Sequence, residues 1–145
     1  MSYSSNIESV IGKLSANLKG LKQTDPVVRE IAASLATSNV ERIHNQGKNL
    51  ADRNIGTYAE STRRIRRKEG RQVSRVDLSF TGKLSKEFQA EQISDGWGAG
   101  FISSYGGGLF KTLTIQYGDL WGISASDKKA IKRIISKEID KKLGD

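Results

Sequence analysis

Residues 88 to 104 read FQAEQISDGWGAGFISS, and this stretch decides the fold class. Phe88 to Ile93 and Gly98 to Ser104 carry strand-forming residues on either side of Asp95-Gly96. A two-residue step of that kind fits the tight turn of a β-hairpin, because both turn positions favour left-handed backbone. Upstream, Val76 to Phe80 alternates apolar and polar and stops at Thr81-Gly82, which predicts a further short strand. Downstream, Leu109 to Tyr117 has a strand-like mixture, although a short helix also fits. Residues 76–123 are thus expected to be the β region.

Helices are expected at both ends. Ile7, Val10, Ile11, Leu14, Leu18 and Leu21 recur at three and four residues and predict a first helix. Asp25 can cap a second, and Pro26 fits its first turn, where a missing N–H costs nothing. Val27, Val28, Ile31, Leu35, Val40 and Ile43 continue the stripe to a stop at Gly47. Residues 1–46 therefore read as two amphipathic helices, or as one helix with a break near Asp25. The closing helix over 124–143 opens on Ser124 and Asp127 at capping-box spacing. Its apolar face is Ala130, Ile131, Ile134, Ile135, Ile139 and Leu143. Ile31, Leu35, Ile131, Ile134 and Ile135 are expected in the core. The expected fold is α+β: amino- and carboxy-terminal helices packed on a small antiparallel sheet, in a single domain over 1–145.

Between these elements, residues 47–75 show almost no apolar period. Asn49, Asp52, Asn54 and Gly56 mark turns. Arg63, Arg64, Arg66, Arg67, Lys68, Arg71 and Arg75 then form a basic run. The expectation is a long exposed loop or arm, because five unpaired cations in six residues are prohibitive to bury. Arg63, Arg64, Arg66, Arg67 and Lys68 are expected to touch a neighbouring chain. The other readings of the run are phosphate neutralisation and a merely solvated surface. Tyr58 is the one aromatic nearby, so stacking on single-stranded bases is not expected.

Composition limits the chemistry. The chain has 145 residues, enough for one core without staples, and no Cys, so disulfides and thiolate metal sites are excluded. With 24 Lys+Arg against 16 Asp+Glu the formal charge is +8, which favours acidic partners or polyanions. No apolar run is long enough for a signal peptide or a membrane span, so a soluble protein that is not exported by a cleaved signal is expected. His44 is the only histidine and is expected at the surface near a helix end. With no second His or Cys, a nucleophile–base pair or zinc site is not expected, and scattered carboxylates give no calcium loop. Gly96-Trp97-Gly98-Ala99-Gly100 lacks the following helix of a phosphate cradle and reads as a hairpin turn. Trp97 is expected there as an exposed interface anchor, or else folded back onto the sheet. No cofactor is expected.

The order of short motifs resembles a known family. Arg42-Ile43 and Gln46-Gly47-Lys48 are followed by Ile55-Gly56-Thr57-Tyr58 and the basic loop. Then come Val76-Asp77-Leu78-Ser79-Phe80-Thr81-Gly82-Lys83-Leu84 and, later, Leu120-Trp121-Gly122-Ile123-Ser124 with Asp127. This arrangement, from about Val40 to Leu143, resembles the tail-completion and virion-morphogenesis proteins of tailed bacteriophages. In that family a leucine–threonine–glycine–x–leucine step enters the sheet, and an aromatic–glycine–aliphatic–serine step precedes the closing helix. The usual proline-containing stretch before that helix is missing here, and the glycine-rich hairpin is short, which leaves the neck or tail layer open. The resemblance implies a non-enzymatic structural protein of the virion, made in the host cytoplasm. It would form a homo-oligomeric ring at the head–tail junction or tail end. Its partners would be the portal-side connector and tail proteins, with packaged DNA close by. The competing expectation, from charge alone, is a small basic DNA-binding protein, whose affinity would fall steeply with salt. A carboxylate–metal hydrolase would need paired acids that the sequence does not show.

Overall fold

Helix α1, Thr24–Val40, forms because Val27, Val28, Ile31, Ala32, Leu35 and Ala36 lie on one face and are buried together. The computed structural model describes residues 24–79, 81–94 and 96–143. The helix expected over residues 7–21 lies outside the described residues, as does the capping side chain expected at Asp25. Beyond Val40 the helix widens into one π turn, Glu41–Asn45. Gln46 N donates to Glu41 O at 3.0 Å, and the wider turn puts three consecutive residues, Arg42, Ile43 and His44, inside. The helix stops at Gly47, as the sequence predicts. Gly47 has φ +64, and a Cβ there would stand 2.7 Å from Val76 O, so only glycine fits.

The expected hairpin is present. Strands β1, Phe88–Ile93, and β2, Gly96–Phe101, pair antiparallel with Phe88 opposite Phe101 and Gln92 opposite Trp97. Side chains alternate across a strand, so Phe88, Ala90 and Gln92 share a face with Trp97, Ala99 and Phe101. Helix α1 lies against both strands. Phe101 is fully buried and anchors an aromatic cluster. Its ring meets Phe88 and Trp121 edge-on at 5.1 Å each and Phe110 at 6.2 Å. Each such pair contributes roughly 0.5–1.5 kcal/mol beyond burial of the rings themselves.

Three helices complete the described chain before the last one. Helix α2 is Glu60–Lys68, α3 is the single turn Lys83–Lys86, and α4 is Ser104–Tyr117. The helical α4 decides between the two readings of 109–117. Its start is fixed by side chains: Ser103 Oγ accepts from Tyr105 N at 3.2 Å, and the Glu87 carboxylate accepts from Gly106 N at 3.0 Å. A carboxylate at that end also opposes the helix dipole favourably. Leu109, Phe110, Leu113 and Tyr117 then pack against the core. The strand expected over Val76–Phe80 does not form in its described residues, 76–79. Its backbone donors are taken elsewhere: Val76 N by Gly56 O, Asp77 N and Leu78 N by Tyr58 Oη, and Ser79 N by Asp77 Oδ1. The β region is thereby confined to the hairpin.

Helix α5, Ala125–Leu143, matches the expected closing helix. Its capping box is formed, with Ser124 N donating to Asp127 Oδ2 at 2.8 Å and Asp127 N donating to Ser124 Oγ at 3.2 Å. It packs on α1. Ile31, Leu35 and Ile131 are buried as expected, whereas Ile134 and Ile135 are half-buried against the core. The architecture is α+β: helices around a two-stranded antiparallel sheet. Among the described residues no helix is long and apolar enough to cross a membrane.

Candidate functional site

The segment expected to be a loose arm is built around buried charge. Arg66 is 4% exposed and sits in the middle of α2. Its Nε donates to Gln72 O at 2.8 Å, one terminal nitrogen to Ser79 O at 2.9 Å, and the other to Asp77 Oδ1 at 3.2 Å. Asp77, 6% exposed, also accepts from Tyr58 Oη at 2.9 Å and from Gln72 Nε2 at 2.7 Å. The Arg66 guanidinium lies 4.4 Å above the Tyr58 ring. Burial pushes the Tyr58 hydroxyl above its ordinary pKa, with the Asp77 carboxylate adding to the shift, so it stays a neutral donor. A buried pair with this many hydrogen bonds is the arrangement in which two charges can leave water.

This corrects the expectation for two residues. Arg66 is no exposed contact but the residue that roots the basic segment in the protein. His44 is not at the surface. It is 6% exposed, and its Nδ1 lies 2.9 Å from Asp77 O. A carbonyl only accepts, so Nδ1 carries the proton and Nε2 faces the interior as a bare acceptor with no partner. Burial lowers the His44 pKa below its ordinary value, outweighing the nearby carbonyl and carboxylate of Asp77.

A second buried polar set holds the other side of the π turn. Asn39, fully buried, donates to Leu35 O at 2.8 Å and Gly122 O at 2.9 Å. It accepts from Gly122 N at 2.9 Å and from Arg42 at 2.8 Å. All four of its hydrogen-bonding capacities are therefore used. Arg42 also donates to Leu120 O at 2.7 Å, and Ser38 Oγ donates to Asp127 Oδ1 at 2.5 Å. The aromatic–glycine–aliphatic–serine step at 121–124 is thus the place where α5 is fastened to α1.

With Arg66 rooted, α2 presents its remaining cations outward. Arg64, Arg67 and Lys68 are exposed, and Arg63 is partly so. Glu60 lies 3.3 to 3.8 Å from Arg63, Arg64 and Arg67 and screens part of their charge. Ile65, on the same helix, is 58% exposed. The other predicted contact, Trp97, sits in β2 and is partly buried against the core, with the Arg29 guanidinium of α1 5.0 Å from its ring. Trp97 therefore folds onto α1 and does not stand out from a turn. Asp77, Gln72 and Asn39 were not singled out by the sequence reading. The available signal was that Asp77 is the first carboxylate after the last of seven cations, a run that only Glu69 interrupts.

Among the described residues, no three His, Asp or Glu side chains converge to hold a metal ion. Comparison with profiles of known protein families, with curated proteins and with solved structures found no match.

Proposed function

We propose that this protein is a structural subunit of a tailed-phage particle. It assembles with copies of itself into a ring at the head–tail junction or tail end, joins the portal-side connector to tail proteins, and does no chemistry. The observation that carries the reading is the division of labour among charges. Arg66, Asp77, Arg42 and Asp127 are spent inside, fixing segments to one another, while Arg63, Arg64, Arg67 and Lys68 are held out on a short rigid helix beside Ile65. A surface built in this way is preorganised for contact, since little entropy remains to be lost when it meets a partner. The family-like steps support the reading as well. Gly82 starts α3 and buries Leu84 just before β1, and Gly122 and Ser124 fasten the closing helix.

The test is complementation of a phage lacking the gene, scored by tailed, infectious particles, with the mass of the assembled protein measured alongside. Particles of normal morphology made without the protein would refute the proposal. The basic face of α2 also favours a second reading, binding to the DNA backbone. In that case affinity for duplex DNA would fall with salt by about 0.9 log units per phosphate contact for each log unit of salt. Arg64→Glu with Arg67→Glu would abolish that affinity, while an assembly subunit would lose particle formation instead.

A further inference from the structure

The side of α1 turned away from the core carries a regular stripe. Pro26, Glu30, Ala33, Thr37 and Val40 follow one another at four, three, four and three residues, opposite the buried Val28, Ile31 and Leu35. Ala33 and Thr37, in the middle of the stripe, are small and exposed. The hairpin supplies a second wall beside it. One depression of about 470 Å³ lies between Pro26, Ala33, Gln92 and Trp97. Another, of about 480 Å³, lies between Ala33, Thr37, Val40, Phe88 and Ala90. Ala33 lines both, so they form one groove that follows α1 from its first turn to its last, along β1. The charged groups on its walls stand toward the ends, Arg29 and Glu30 at one and Glu41 at the other.

The chain reaches the groove at Pro26, and the residues before it carry a matching pattern. Ile7, Ile11, Leu14, Leu18 and Leu21 recur at the same four, three, four and three residues. Large aliphatic side chains in that period seat between the side chains of a facing helix, and small residues opposite them leave the room. Glu8, Lys13 and Lys19 fall about 100° or more away from this stripe, so no charge lies on it. The two stripes also have one length. Residues 7 to 21 and residues 26 to 40 each span about 21 Å at 1.5 Å per residue. Residues 22–25 separate them, a connection of the length that joins antiparallel helices. A helix as short as 7–21 is marginal in water by itself, whereas the groove gives its apolar stripe a place to be buried.

We infer that the groove is filled by residues 7–21 of the same chain, as a helix antiparallel to α1. Leu21 lies beside Pro26, Leu14 beside Ala33 and Ile7 beside Val40. A groove filled in this way is closed to other proteins, so partners meet the chain on its other faces. The inference does not rest on the assembly proposed above.

The experiment uses the full chain in two ways. Leu14→Cys is combined with Ala33→Cys, in a sequence that has no other cysteine. Oxidation should join the two within one chain, seen as a monomer of altered electrophoretic mobility. Leu14→Cys combined with Ile115→Cys, an exposed position on α4 that does not line the groove, should not join. Hydrogen exchange then reads the segment without cysteines. In wild type the amides of residues 8–20 should exchange at least about ten-fold more slowly than in a peptide of the same sequence. Ala33→Glu and Leu14→Glu should each return them to the rate of the peptide. The amides of residues 27–36 should stay protected in both variants, which shows that α1 is intact. Ile115→Glu should change neither set. Exchange of residues 8–20 at the peptide's rate in wild type overturns the inference, as does failure of the Leu14–Ala33 pair to join. Protection that survives Ala33→Glu also overturns it, since the segment is then covered elsewhere. Cross-linked dimers in place of the link within one chain assign the groove to a second copy and overturn it too.

Discussion

Replacing Arg66 with methionine keeps a long side chain on α2 but removes the cation. Its hydrogen bonds to Gln72 O, Ser79 O and both oxygens of Asp77 vanish, and Asp77 is left as a carboxylate 6% exposed without its counter-charge. Breaking one partner out of a buried pair typically costs about 3–5 kcal/mol, because the survivor keeps its desolvation penalty. Arg66 is also the one buried side chain of α2, so the loss should fall first on that helix and the loop to Ser79. Amide exchange over Glu60–Lys68 should speed up roughly a hundred-fold or more, since 1.4 kcal/mol corresponds to a factor of ten. Arg64→Met, on the exposed side with only Glu60 3.8 Å away, is the control and should cost at most about 1 kcal/mol. Chemical denaturation of both variants, with Asp77→Asn and the double variant completing a cycle, measures the coupling. If Arg66→Met cost no more than Arg64→Met, or if the cycle gave no coupling, the account of Arg66 as the root of this segment would be wrong.

Asn39→Ala removes a side chain with all four partners made and leaves Gly122 and Arg42 unsatisfied in the interior, so thermal unfolding should show a loss of about 2–4 kcal/mol. A loss under about 0.5 kcal/mol would contradict the fastening role of the Gly122 step. Gly106→Ala should destabilise by about 1–3 kcal/mol, because a Cβ would stand 2.3 Å from Phe101 Cδ1. Gly108→Ala, two residues on in open space, should instead stabilise by about 0.5–1 kcal/mol, and equal effects at the two positions would contradict the packing of α4. His44 is held neutral by burial, so its folded pKa lies below the unfolded value of about 6.5. Below about pH 6.5 the unfolded chain binds the extra proton. Stability should therefore fall on acidification, by up to about 1.4 kcal/mol per pH unit, until the folded pKa is passed. His44→Asn, which keeps a donor toward Asp77 O, should lack that component in denaturation curves taken from pH 7.5 to 5.

Which elements could be read from the sequence follows from what holds each one. The α1 stripe, the Gly47 stop, the hairpin and the Ser124–Asp127 box are governed by neighbours within a few residues, and local pattern finds them. Helix α4 begins in Gly106-Gly107-Gly108, a poor helix start by propensity. It forms because Glu87, from before the hairpin, caps it and because Phe101 needs a residue without a Cβ beside it. Helix α2 escaped notice for another reason. Its inward residue is an arginine, so no apolar period exists to detect. The basic character of Arg63, Arg64, Arg67 and Lys68 was plain in the sequence. That Arg66 differs from its neighbours depends on Asp77, eleven residues later, and on a backbone path that the sequence does not display. Trp97 was assigned to a turn because the glycines around it hid a strand whose inner face it shares with Ala99 and Phe101.

The fastening of α1 to the step before α5 also sets a timetable for synthesis. Ser38, Asn39 and Arg42 wait for Asp127, Gly122 and Leu120, which lie 89, 83 and 78 residues further along. At about 5–20 residues per second, roughly 4–18 s pass between the emergence of the two sides. Through that interval Val27, Val28, Ile31 and Leu35 have left the ribosome without α5 to cover them, and the hairpin that shields their other flank arrives only after Phe101. The nascent chain therefore carries an open apolar stripe for seconds, long enough for holdase chaperones to engage it or for neighbouring nascent chains to aggregate through it. A stop of translation anywhere before Phe101 leaves that stripe permanently open.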